Sequence, residues 1–158
     1  MPKVRIRLIQ LGYPSVDLRK VLHWKSKLFE VVGIQHKADL PNSDGDQWTL
    51  SKKRLTKVIG KHEGADITFA VTDRPIENNY YMHRLTDQIC VLSFYQVSGI
   101  LAASNLQPEM FVLRNIYEMT WRNLAMTSST GTWSFSTPGA DSQSSCGRKT
   151  PKATRWGF

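Results

Sequence analysis

In "KVRIRLIQL", residues 3–11, Val4, Ile6 and Leu8 interleave with Lys3, Arg5 and Arg7. This period-two alternation predicts a first strand with one apolar and one wet face. "GYPSVDLRKVLHWKSKLF" comes next, and its apolar positions Val16, Val21, Leu22 and Leu28 predict a helix with Ser15 as N-cap. "EVVGIQH" predicts a second short strand. "DLPNSDGDQW" must then turn, because Pro, Asn, Asp and Gly crowd it. Leu50, Leu55, Val58 and Ile59 recur at helical spacing up to Gly60, and "ADITFAVTD" is an apolar strand closed by Asp73. The alternation β-α-β-α-β argues for an α/β domain with a largely buried sheet.

"RPIENNYYMHRLTD", residues 74–87, is polar and turn-rich, and predicts a connection crossing an edge of the sheet before the apolar strand "QICVLSF". Two helices follow: "YQVSGILAA", then one announced by Asn105 as cap, Pro108 and Glu109, which holds "FVLRNIYEMTWRN". From Thr127 the pattern lapses, and 17 of the last 32 residues are Ser, Thr or Gly. The expected organisation is a single α/β domain over residues 1–126, a mixed sheet flanked by helices, followed by a basic tail over 127–158. Trp133, Phe135, Trp156 and Phe158 suit that tail to docking.

With 158 residues, 41% of them hydrophobic and 10% aromatic, the chain can bury one core. No run of 18 apolar residues occurs, and the N-terminus lacks the apolar block of a signal peptide, so the expectation is a soluble cytoplasmic protein without a membrane partner. Cys90 and Cys146 form neither a disulfide framework nor a CxxC pair, and Cys90 reads as core filler. The net charge of +8 favours polyanionic partners, although residues 1–126 carry only 17 minus 12, or +5.

Candidate chemistry is sparse. "KHEGAD" sets His62 and Glu63 before Asp66, near the HExxH spacing, but Gly60 and Gly64 bracket it ahead of a strand, which denies the helical face that two zinc ligands require. His23, His36, His62 and His83 show no short ligand spacing. Asp44 and Asp46 flank Gly45 without the distal Glu of a calcium loop, and turn chemistry accounts for them. No GxxxxGK[ST], GxGxxG or GxSxG occurs. Residues 97–119 could pass for a helix-turn-helix, but the second helix offers mostly apolar side chains to a groove. Asn79, Tyr80, Tyr81, His83 and Arg84 supply donors and stacking faces in one connection and form the candidate ligand or partner surface. Arg5, Arg7, Lys52, Lys53 and Arg54 are candidates for phosphate or an acidic partner.

The order "ADITFAVTDRPI", "NNYY", "LTDQICVLSFYQV", then a Glu-bearing helix resembles the layout of the archaemetzincin-like zinc metallopeptidases. That resemblance implies a helix carrying HExxHxxGxxH. Aligning the Glu sets Glu118 as the catalytic candidate, with Tyr117 and Trp121 where imidazoles would hold zinc. The Gly, the third His, a Met-turn and the family's Cys pairs are absent, so the resemblance implies a fold that has lost its metal. The alternative for Glu118 is an ion pair with Arg114 on a wet helix face.

Three functions stay open. The first is a non-catalytic interaction module, with no cofactor or metal, binding a protein or nucleic acid through its basic faces, the Tyr80–Arg84 segment and the tail. The second is a metal-dependent, peptidase-like hydrolase that gathers His62, His83, Glu118 and Asp73 around zinc. The third is a small basic nucleic-acid-binding protein working through charge. Whether the chain is an enzyme is open, and the missing constellation favours the first reading.

Overall fold

The computed structural model describes residues 2–60 and 63–128. His62 and the predicted tail from residue 129 lie outside the described residues. The elements are β1 (Val4–Leu11), α1 (Leu18–Leu22), β2 (Phe29–Lys37), α2 (Lys52–Ile59), β3 (Ile67–Thr72), β4 (Met82–Arg84), β5 (Ile89–Ser93), α3 (Val97–Ala103) and α4 (Pro108–Ser128). They form the expected α/β arrangement, a mixed five-stranded sheet in the order β2-β1-β3-β5-β4. β1 pairs in parallel with β2 and β3, β3 in parallel with β5, and β4 alone runs antiparallel, on β5.

Side-chain alternation divides the core between the two faces. Val4, Ile6 and Leu8 of β1 pack with Leu18 and Val21 of α1, Leu101 of α3 and Val112 and Ile116 of α4. On the other face Ile9 and Leu11 pack with Leu55 and Ile59 of α2. The predicted wet face of β1 is therefore wet only in its first half, where Arg5 and Arg7 sit. All six residues of β3 are buried, as a central parallel strand covered by helices on both sides requires.

Four local expectations change. α1 stops at Leu22, because the polar run His23 to Lys27 offers no further apolar stripe and the chain must turn back into β2. Its cap is Asp17, which accepts from Arg19 N, rather than Ser15. Asn105 terminates α3 rather than starting α4. It adopts a left-handed backbone (φ 53°), its N–H donates to Ala102 O, and Leu106 N donates to Leu101 O, a Schellman closure. The connection 74–87 holds an additional strand, β4, too short to leave a period of its own.

Asp44 has the turn role expected of it. It accepts from Ser51 N and Oγ (2.9 and 2.5 Å) at the head of α2, and these bonds, the hydroxyl's first, hold its carboxyl below the usual value.

Candidate functional site

β4 is an edge, and its register fixes what that edge offers. Ser93 N donates to Tyr81 O and Leu85 N to Ile89 O, so Tyr81, His83 and Leu85 occupy the hydrogen-bonded pairs with β5. By antiparallel alternation, the N–H and C=O groups of Met82 and Arg84 face away from β5. No described strand takes them up. An edge of this kind is a template for another chain. The opposite edge, β2, carries a register shift between Ile6 and Arg7 of β1, a bulge that blunts pairing.

Beneath the β4 edge lies a cleft of 310 Å³ between the strand and α4, with Tyr80, Tyr81 and Met82 on one wall and Glu118, Met119 and Arg122 on the other. Tyr81 leans on Phe111 with ring centroids 5.5 Å apart, so the helix props the aromatic wall. Tyr80 remains 67% exposed and Tyr81 46%, a large apolar area next to unpaired backbone. A smaller recess of 190 Å³ adjoins it, bounded by Tyr80, Tyr81, Tyr95 and Ile100. Here Asn79 Nδ2 donates to Gln96 Oε1 (3.1 Å), and Asn78, Asn79 and Gln96 all hold left-handed backbone. Such strained residues persist where the surrounding structure over-determines them, often at ligand sites.

Among the described residues of the hydrolase set, Glu118, His83 and Asp73 are not gathered. Glu118 lies at the mouth of the cleft, half exposed, where its Oε1 accepts from Arg122 Nη2 at 2.7 Å. The expected ion-pair partner Arg114 is replaced by Arg122, the other residue one turn away. His83 is 7% exposed and faces the α2 side of the sheet, whereas its neighbour Met82 packs on the α4 side. Asp73 is exposed at the end of β3, and His62 is outside the described residues. Among the described residues no three His, Cys, Asp or Glu side chains converge as metal ligands. Tyr117 and Trp121 do not face the cleft as a pair. The Tyr117 hydroxyl accepts from Trp24 Nε1 (3.3 Å), its ring meets Phe29 edge-on, and Trp121 is 66% exposed. Hydrogen bonds from Ser26 and then Trp24 lower the Tyr117 phenol.

The site residues named from the sequence separate in the same way. Tyr80, Tyr81 and Arg84 line the cleft, Asn79 lines the recess, and His83 is buried behind them. Arg84 is itself held by Asp87 (3.0 Å). The basic residues form no single patch. Arg5 sits beside Asp66 and Glu30 at the start of the strands, and Arg7 has a buried Nε with no partner among the described residues. Lys52 is at the other end, where Glu77 accepts from its backbone N–H (3.1 Å) and lies 3.9 Å from its ammonium. Lys53 and Arg54 are exposed there. Cys90 is fully buried, and burial pushes its thiol up to about 12, so it is inert filler as expected.

Comparison with protein-family models, curated proteins and solved structures found no match to this chain. No helix among the described residues is long and apolar enough to cross a membrane.

Proposed function

We propose that this protein is a non-catalytic interaction module that captures an extended segment of a protein partner along β4. The carrying observation is the outward-facing backbone of Met82 and Arg84 beside the exposed rings of Tyr80 and Tyr81. Added-strand recognition takes affinity from main-chain hydrogen bonds and specificity from pockets for alternate side chains. The cleft against α4 supplies the pocket: aromatic and thioether walls for an apolar side chain, with Glu118 and Arg122 at its mouth for polar ones. Glu118 and Arg122 satisfy each other, which suits a rim better than a reacting group. The chain order β3, connection, β5, then helices is the one the metallopeptidase resemblance implies, and Tyr117 and Trp121, at the positions where that family has imidazoles, offer none to zinc. A buried, unreactive Cys90 suits a reducing, cytoplasmic setting.

The test uses the geometry of the edge. Met82→Pro removes an N–H that faces away from β5, so the sheet keeps its own bonds, and Met82→Ala, which keeps that N–H but also lacks the thioether, is the control for the lost side chain. A peptide library is panned on the full chain, and selected peptides are measured by calorimetry against the wild type and both variants, with circular dichroism checking the fold. The expected result is enrichment of short apolar or aromatic segments whose affinity drops roughly tenfold or more with Met82→Pro, because ladder bonds are lost. Peptides that bind the folded Met82→Pro variant as well as the wild type, or no enrichment at all, would refute this reading.

A further inference from the structure

A second crevice lies away from β4, at the reversal of the sheet. From β1 the chain adds β2 on one side, and β3 then returns on the other side of β1. In open α/β sheets, ligands settle outside the carboxyl ends of the strands where the strand order reverses in this way. A crevice of 390 Å³ occupies that position, formed by Gly12 and Tyr13 after β1, Asp39 and Leu40 after β2, and Asp73 and Arg74 after β3.

The walls are fixed by contacts at the end of the β1–β2 ladder. Gly12 has a left-handed backbone (φ +72°), and a Cβ there would lie 2.9 Å from Leu40 Cδ1. Its N–H donates to Lys37 O (2.9 Å), and its carbonyl accepts from His36 Nε2 (2.8 Å). The His36 ring so held meets Tyr13 edge-on at 5.2 Å, leaving Tyr13 73% exposed over the crevice. Asp39, Asp73 and Arg74 line the space, and among the described residues none of the three is in a salt bridge. Two carboxylates against one guanidinium leave one negative charge, beside an aromatic face that attracts cations.

We infer that this crevice binds a free basic amino acid, L-arginine or L-lysine. Arg74 takes the α-carboxylate, the adjacent Asp73 takes the α-ammonium, and the side-chain cation lies over Tyr13 against Asp39. The ligand's net charge of one positive unit balances the site, and a free basic amino acid supplies all three groups together.

The test titrates the isotope-labelled full chain with L-arginine and L-lysine, followed by NMR and calorimetry. Controls are agmatine, which lacks the carboxylate, N-acetyl-L-arginine, which lacks the ammonium, and citrulline, which lacks the side-chain charge. Saturable shifts centred on Tyr13 are expected, with each control and each of Asp73→Asn and Asp39→Asn weaker by roughly tenfold or more. Both carboxylates are exposed, so the folded spectrum survives these changes, and peptide binding at β4 is unaltered by them. Three outcomes would overturn the inference: no saturable shift up to about 10 mM of either amino acid, agmatine binding as well as L-arginine, or shifts indifferent to both variants.

Discussion

His83 shows how far a single residue's role depends on its surroundings. In the sequence it stands among tyrosines and asparagines in a polar loop. In the fold it is buried, its Nε2 has no partner among the described residues, and Tyr80 covers it with a ring 6.2 Å away. Burial first, then Lys52, lowers its pKa from 6.5, against a smaller upward pull from Glu77. The neutral ring is thus the native form, and the unfolded chain takes up the proton first. Its contribution to stability is fully present above pH 6.5 and is lost as pH falls from there toward the folded-state value. The urea midpoint of the wild type should therefore fall as pH drops below 6.5. His83→Phe should show a shallower fall over the same window, and parallel curves would refute the assignment. Glu118 was legible as a surface residue with an ion pair. Which arginine it pairs with was not, because Arg114 and Arg122 are each one turn away and only side-chain direction chooses between them.

At the scale of elements, the long periodic segments were legible and the short ones were not. Apolar spacing marked β1, α2, β3, β5 and α4, since each buries a stripe or a face large enough to leave a period. β4 has three residues and leaves none, so its existence follows from pairing with Cys90, Val91 and Leu92. Asn105 was read as a cap for the helix after it, yet it closes the helix before it. Both roles favour Asn, and only the backbone angle separates them. Asn105→Gly should leave stability within a few tenths of a kcal/mol or raise it, whereas Asn105→Val should cost about 1–2 kcal/mol, because a β-branched residue resists a left-handed backbone. Equal urea midpoints for the two variants would contradict the Schellman closure.

At the scale of the whole molecule, the chain carries +8, yet the five basic residues named as phosphate candidates do not form one patch. Arg5 and Arg7 lie at one end of the sheet and Lys52 to Arg54 at the other, with Asp66, Glu30 and Glu77 among them. Any attraction to DNA should then be non-specific and driven by released counterions. In fluorescence anisotropy, duplex binding seen at about 50 mM salt should vanish by about 200 mM. Binding that is sequence-dependent and survives that change would favour the nucleic-acid reading over capture at β4.

The sequence by itself determined the class of the fold, because burial periods and turn residues are local and add up to an alternation of strands and helices. It also determined the lack of familiar catalytic motifs and the inert setting of Cys90. It named Tyr80, Tyr81 and Arg84, since exposed aromatics in a connection are visible as residue types. Only the tertiary structure decided that β4 is an open edge, that His83 turns away from the cleft, and that Tyr13, Asp39, Asp73 and Arg74 meet at one rim. Those facts depend on strand order and register, which bring together residues up to 61 positions apart, such as Tyr13 and Arg74, and no local period encodes them.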